Sequence, residues 1–242
     1  TLHHNTIAIE AGTQSVDTNI VANAVTQGGL NGNICTSNIG IDVNGRHRQV
    51  VIDANTLSNI HCSGIAVQSY EAYSGRTLDM IISNNIISNL GDWAPTQNDF
   101  GFGTLFWSPN QADAPCALAE LQNKTSLVVA NNTINTGMHN LAGIQIARGL
   151  TLTCPANVAD PVVLTGNTIG MTDWAANIND LGRVLGLNIT ATGMVLNGDG
   201  TAGRTFTWRP GSTGTCSGFV KNGNPNPATV TDSSGNGIGV CP

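Results

Sequence analysis

The chain has 242 residues, which is enough for one large all-β domain or two small domains with real cores, and one elongated domain fits best. Charged residues make up only 10% of the chain, and the formal net charge is −6. Because no basic stripe is present to neutralise phosphates, the composition argues against nucleic acid and membrane surfaces as partners.

An apolar strand that runs into an asparagine recurs along the chain. In chain order the copies are NIVANAV, VVIDANTL, MIISNNII, LVVANNTI and VVLTGNTI, and their shared asparagines are Asn23, Asn55, Asn85, Asn132 and Asn167. Two positions after each asparagine lies an apolar residue, namely Val25, Leu57, Ile87, Ile134 and Ile169. Asparagine is depleted in strands, so its repetition at this place indicates a structural role.

A second short strand that begins with glycine follows each copy. These strands are GIDV from Gly40, GIAV from Gly64, GTLF from Gly103, GIQI from Gly143 and GLNI from Gly186. The connections vary in length while the order of the two strands is kept, which is typical of repeats with variable loops. Since the strands lack a 3.6-residue period, they predict the stacked coils of a parallel β-solenoid.

Stacked copies of one position form ladders in such a fold. An asparagine amide has donors and an acceptor, so an asparagine on every coil can bond those above and below it. Period-two alternation predicts a core that contains Val50, Met80, Leu127 and Val162 together with Ile20, Ile52, Ile82, Val129 and Leu164. It also predicts an apolar outer ladder of Val51, Ile81, Val128 and Val163. That ladder needs a cover, for which the chain's own loops, its tail and a neighbouring molecule are the alternatives.

The general pattern of the repeats is a strand, a corner such as NN or GN, an apolar residue and a strand such as GI. This pattern resembles the right-handed parallel β-helix of the pectin-lyase-like superfamily. The resemblance covers residues 1–190 and implies an all-β, right-handed parallel β-helix, or solenoid. Residues 191–242 are rich in Gly, Pro and Asn and contain no further asparagine corner. We expect them to form a C-terminal β cap or appended element, because solenoid ends expose strand edges.

Six cysteines are present: Cys35, Cys62, Cys116, Cys154, Cys216 and Cys241. They form no CxxC pair and have no histidine at zinc-finger spacing, so disulfides are favoured over a metal site, and no cofactor is expected. Sequence-local pairing would join 35 with 62, 116 with 154 and 216 with 241, although other connectivities stay open. Disulfides predict an extracellular or cell-surface location. The chain begins at Thr1 without a signal sequence, so we expect a processed or trimmed chain.

Glycan-cleaving enzymes of this superfamily carry motifs that the chain lacks. A polygalacturonase-like sequence would show NTD, paired aspartates, Gly-His-Gly and Arg-x-Lys, and a pectate-lyase-like sequence would show clustered calcium-binding aspartates. The outward positions of the glycine-led strands are predicted to hold Asp42, Ala66, Leu105, Gln145 and Asn188, which include no acid pair. No catalytic residue is therefore predicted, and an enzyme is disfavoured.

The longest segment between repeats carries aromatic residues. Trp93, Trp107 and Asp99 lie there and are the candidates for carbohydrate binding, although the aromatic residues can equally fix this coil to the apolar outer ladder. Glycosylation sequons begin at Asn123, Asn131 and Asn188 and matter only in a eukaryotic secretory route. Asn131 lies in the repeat corner, which argues against a glycan there.

The function favoured by these patterns is a secreted structural or adhesive β-helix, such as a subunit of an extracellular filament or surface assembly. Its expected partners are further copies of itself, other extracellular surface proteins or polysaccharide, and no membrane span is expected. Because the first strand is expected near Thr1, an open strand edge at that end favours head-to-tail association. The alternative is a polysaccharide-active β-helix enzyme, a lyase, hydrolase or epimerase acting on an acidic glycan. A Thr-rich ice-binding face is disfavoured because no Thr-x-Thr column repeats.

Overall fold

Every regular element in the described part of the computed structural model is a β-strand. The described residues are 7–11, 14–26, 39–44, 46–58, 60, 63–68, 78–90, 102–108, 127–136, 142–148, 160–170, 176–180, 187–197, 206–208, 213–218, 220–221, 228–231 and 237–241. Within them no helix has the length and apolar character needed to cross a membrane.

The chain winds through three sheets in turn, so that each coil gives one strand to each sheet. Sheet A consists of β1 (Ile7–Ala11), β4 (Ile39–Asn44), β7 (Ser63–Gln68), β10 (Phe102–Ser108), β13 (Ala142–Arg148), β16 (Ala176–Asp180), β19 (Phe206–Trp208), β22 (Ala228–Thr231) and β23 (Gly237–Cys241). Sheet B consists of β2 (Gln14–Val21), β5 (Arg46–Asp53), β8 (Leu78–Ser83), β11 (Leu127–Ala130), β14 (Asp160–Thr165), β17 (Leu187–Thr192) and β20 (Thr213–Ser217). Sheet C consists of β3 (Ala24–Thr26), β6 (Thr56–Ser58), β9 (Ile86–Leu90), β12 (Thr133–Thr136), β15 (Thr168–Gly170), β18 (Val195–Asn197) and β21 (Val220–Lys221).

Strands from successive coils pair in parallel in all three sheets, which confirms the predicted all-β parallel β-helix. The boundary predicted at residue 190 falls inside β17. Parallel stacking continues beyond it, through β20, β21 and β22. The last described strand, β23, then turns back and pairs antiparallel with β22.

The core is the apolar interior enclosed by the three sheets. Sheet B contributes the predicted residues Ile20, Val50, Ile52, Met80, Ile82, Leu127, Val129 and Leu164, and sheet C contributes Val25, Leu57, Ile87, Ile134 and Ile169. Sheet A adds Ile41, Val43, Ile65 and Ile144. These positions confirm the period-two assignment for every predicted core residue whose side chain is described, and the side chain of Val162 lies outside that set.

The apolar outer ladder also exists. Val51, Ile81, Val128 and Val163 are register partners on successive strands of sheet B. Ile81 is 43% exposed, and the three valines are half-buried. The row is bounded by exposed polar residues, Asn19 on the coil before and Thr190 on the coil after. The ladder is therefore a short apolar stripe with polar ends.

The GI pattern of sheet A has a steric cause at Gly40. A Cβ atom on Gly40 would lie 2.6 Å from the carbonyl oxygen of Gly64 and 2.8 Å from Cδ2 of Leu57. Gly64 lies in β7, the corresponding strand of the next coil, so neighbouring backbones approach too closely for a side chain at this position. Glycine here lets Ile41 enter the core directly after the close contact.

One predicted repeat is misplaced. GLNI from Gly186 was expected in the column of glycine-led strands, but Leu187–Thr192 is β17 and pairs with β14 in sheet B. The strand of sheet A in that coil is β16. The error arises because the following corner has the sequence Thr-Gly-Met-Val, with Met194 at the position where the earlier coils have asparagine. A search aligned on asparagine cannot detect this coil.

We predict that Gly40→Ala lowers the free energy of unfolding by about 1–3 kcal/mol, because the added methyl forces backbone atoms apart. Gly193→Ala is the matched control. Gly193 has a positive φ of 58°, and a Cβ there would lie 3.9 Å from the backbone N of Gly166, an ordinary van der Waals distance, so only backbone strain of about 1 kcal/mol is expected. Denaturant unfolding of both variants checks the order of the two effects, and equal midpoints would contradict the steric explanation.

Candidate functional site: the asparagine ladder and the outer faces

The five predicted asparagines lie in one continuous ladder. The Nδ2 amide of Asn23 donates to Oδ1 of Asn55 at 2.9 Å, and the same 2.9 Å bond joins Asn55 to Asn85, Asn85 to Asn132, and Asn132 to Asn167. The backbone N–H of each of the first four donates to the same Oδ1 at 2.9–3.0 Å. Each receiving carboxamide oxygen therefore accepts two hydrogen bonds from the coil before it.

The remaining amide hydrogen of each of the last four ladder residues bonds to the preceding coil. In each case Nδ2 donates to a backbone carbonyl at 2.8–3.0 Å. Asn55 donates to Ile20, Asn85 to Ile52, Asn132 to Ile82 and Asn167 to Val129. These four asparagines are fully buried. A buried amide without partners costs roughly 1–3 kcal/mol, so this complete bonding explains why polar residues are tolerated in an apolar interior.

The residue before each ladder position adopts the left-handed conformation. The positions are Ala22, Ala54, Asn84, Asn131, Gly166, Gly193 and Gly218, with φ between 54° and 64°. The N–H of each of the first six donates to a carbonyl of the next coil at 2.9–3.1 Å. This turn explains the NN and GN pairs in the sequence, because asparagine and glycine adopt positive φ more readily than other residues.

Methionine replaces asparagine where the ladder ends. Asn167 Nδ2 lies 3.4 Å from Sδ of Met194, which is fully buried. A thioether is a weak acceptor and offers no amide to the following coil. The fold accepts this exchange because an apolar side chain fills the position and the corner keeps its glycine.

A carboxylate lies beside the corner between sheets B and C. Ser83 Oγ and Asn84 Nδ2 donate to Oδ1 of Asp53 at 2.6 and 2.8 Å. The hydrogen bond from Ser83, followed by that from Asn84, lowers the pKa of Asp53, while burial acts weakly in the opposite direction. Asp53 stays ionised at neutral pH and cross-links neighbouring coils.

The outer face of sheet A holds a second carboxylate, Asp42. It alternates with the core residues Ile41 and Val43, as the predicted outward position requires, yet it is only 3% exposed. Ala66, its register partner on β7, is fully buried as well. Asp42 and Ala66 thus occupy the predicted outward positions, but this part of the outer face is covered.

Sequence reasoning also missed an acidic neighbour of Asp42. Glu10 on β1 is the register partner of Asp42, so two carboxylate-bearing residues occupy adjacent coils. The pair was not found because the strand that contains Glu10 precedes the first asparagine repeat. The described part of the chain contains no group of three His, Cys, Asp or Glu residues positioned to hold a metal ion.

The other predicted site residues are only partly described. Trp107 lies in β10, where it pairs with Gln68 and Ala147 of the neighbouring coils. Trp93 and Asp99 lie outside the described residues, so the proposed carbohydrate site stays a prediction.

The predicted disulfides also stay predictions. Cys35, Cys62, Cys116 and Cys154 lie outside the described residues. Cys216 lies in β20 and Cys241 in β23, two strands that are close to each other. Contact between two strands does not by itself bring their cysteine sulfur atoms within bonding distance, so this pairing stays a prediction with the others.

Comparisons with protein-family models, curated proteins and solved structures found no match for the chain. The resemblance to the pectin-lyase-like superfamily accordingly extends to the parallel β-helix with its asparagine ladder, and the superfamily assignment stays a prediction.

We predict that Asn132→Leu lowers the free energy of unfolding by about 1–3 kcal/mol, because it leaves buried groups of both neighbouring coils without partners. Asn135→Leu is the control, since Asn135 lies on the same coil but is exposed. Chemical denaturation should shift strongly for the first variant and little for the second. An unchanged midpoint for Asn132→Leu would refute the energetic role of the ladder.

We predict that Ser83→Ala raises the pKa of Asp53 towards its ordinary value, because the largest cause of the lowered pKa is removed. A lowered pKa in the folded state contributes stability above the unfolded-state pKa, and that stability is lost as pH falls through the folded value. The variant should lose this contribution. Carboxyl-carbon NMR titration measures the shift, and an identical titration curve for Asp53 in both proteins would contradict the assignment.

Proposed function

We propose that the protein is an extracellular structural or adhesive β-helix, in which a rigid column holds connecting segments outward for binding. The observation that carries this proposal is the unbroken ladder from Asn23 to Asn167, with hydrogen bonds between every successive pair. A buried polar network with all its members bonded rigidifies a fold and specifies a single arrangement. Stacked coils of this kind form an extended scaffold rather than a compact pocket.

The binding segments of this proposal are 91–101 and 109–126, which lead into and out of β10. Long connections on a regular scaffold are the usual place for function. Trp93 and Asp99 belong to the first segment, and Trp107 lies in the strand between the two. An aromatic ring offers an apolar face and a carboxylate offers hydrogen-bond acceptors, which together suit a polysaccharide.

The outer side of sheet C is suited to contact with uncharged partner surfaces. Six of its seven strands, β3, β6, β9, β12, β15 and β18, have the sequences AVT, TLS, IISNL, TINT, TIG and VLN, which contain no charged residue. The seventh strand, β21, contains Lys221, so the uncharged surface is that of the other six. Contact with such a surface does not require a charge to be desolvated, and desolvation is the main cost of burying charged groups. This property suits association with further copies of the chain or with other extracellular proteins.

A polysaccharide-active enzyme is the second candidate, and the Glu10–Asp42 register favours it. Adjacent parallel strands lie about 4.8 Å apart. Retaining glycosidases need about 5–5.5 Å between the carboxyl groups themselves, a separation that side chains on adjacent strands can reach. A buried acid beside a second acid can serve as a general acid in such chemistry.

We predict that the protein co-sediments with at least one of cellulose, chitin and cross-linked polygalacturonate. Trp93→Ala should weaken that binding by about tenfold, corresponding to the loss of about 1.4 kcal/mol of stacking energy. Trp174→Ala is the control, because this tryptophan lies in a different connection. Sedimentation of the protein without polymer measures self-association in the same experiment.

Two results would contradict this function. The first is neither polymer binding nor self-association by a folded, secreted chain. The second is release of unsaturated products or new reducing ends from uronic-acid polymers, with loss of that activity in Asp42→Asn, which would establish the enzyme instead.

A further inference from the structure

The glycosylation sequon that begins at Asn131 is exposed at the corner between sheets B and C. In the triplet Asn131-Asn132-Thr133, the ladder residue is the middle one, and it alone is buried. Asn131 and Thr133 are both exposed, one at the left-handed corner and the other at the start of β12. The corner position therefore does not by itself argue against a glycan, because the buried ladder residue is Asn132 and its neighbour Asn131 is exposed.

The next coil leaves room for the Asn131 side chain. A Cβ atom on Gly166 would collide with Oδ1 of Asn131, so the glycine allows the carboxamide to lie over the corner. The following corner residues, Gly193 and Gly218, also lack side chains. A bulky group attached to Asn131 therefore meets no corner side chain on the described coils that follow.

The structure describes the other two sequons less fully. Asn123 lies outside the described residues. Asn188 lies within β17, where its backbone is flanked by Pro161 on one side and Thr213 on the other. Among the described residues, Asn131 is the sequon asparagine with an exposed side chain and an exposed hydroxyl residue two positions later.

We infer that Asn131 is an N-glycosylation site, a conclusion that rests on the proposed extracellular location. The donor is an oligosaccharide linked to a lipid pyrophosphate. A bond forms between Asn131 Nδ2 and the anomeric carbon of the first sugar, while the bond from that carbon to the pyrophosphate oxygen breaks. The lipid pyrophosphate leaves with the electron pair, and the amide gives up one proton. Asn-x-Ser/Thr is the acceptor sequence for this transfer.

A glycan at this corner would help to cover the apolar outer ladder. Val128 precedes Asn131 by three residues, which is about 10 Å along an extended strand. Val128 is also the register partner of Ile81, the most exposed member of the ladder. Because each coil visits sheets A, B and C in turn, the corner between B and C is the one that sheet A does not adjoin. The glycan therefore leaves sheet A and its long connections open for binding.

The test is peptide mapping by mass spectrometry of the full chain secreted from eukaryotic cells, before and after enzymatic glycan removal. We expect the peptide containing Asn131 to carry a glycan. Thr133→Ala should abolish it, whereas Thr56→Ala, at the same register position two coils earlier, should leave it unchanged.

An unmodified Asn131 peptide from a secreted chain with oxidised cysteines would overturn the glycan and leave the extracellular function intact. A chain retained in the cell with free thiols would overturn the extracellular location and, with it, the glycan.

Discussion

The structure depends on one repeated interaction, the bonding of a buried asparagine carboxamide to the coil on either side. The oxygen takes two hydrogen bonds from the preceding coil, and the amide nitrogen gives one to the next coil and one back to a carbonyl. An asparagine bonded to a coil on only one side would leave part of its buried amide without hydrogen-bond partners, which is costly. The same position must therefore recur on successive coils for as long as the ladder continues, and this requirement fixes the register of sheets B and C together.

The corner conformation and the core follow from that register. A left-handed residue before the ladder asparagine turns the chain from sheet B into sheet C, and the apolar residue two positions after it enters the core. At Met194 the ladder stops while the turn and core continue. The coil geometry thus depends on the corner backbone as well as on the amides, and an apolar side chain can end the ladder without ending the solenoid.

Much of the fold could be predicted because the ladder places asparagine at the same position of successive repeats, and this repetition is visible in the sequence. The asparagine copies, the period-two core and the outer stripe at Ile81 all follow from alternation and repetition. The prediction failed where the repeat changed its chemistry, as at Met194, and where a neighbour came from outside the repeats, as with Glu10. At Asp42 it gave the outward direction but not the burial, because the exposure of a side chain depends on which segments pack over it. Alternation predicts whether a side chain points into the core or outward, but it does not predict whether other segments of the chain pack over it.

The most direct measurement of the central claim is hydrogen exchange at the backbone amides of Asn55, Asn85 and Asn132. Each of these N–H groups donates to a carboxamide oxygen of the next coil rather than to a strand partner. If the ladder holds the coils together, these amides exchange only on global unfolding, as slowly as those of the core strands. Fast exchange at the three ladder amides, with the amides of β8 and β11 still protected, would contradict the account.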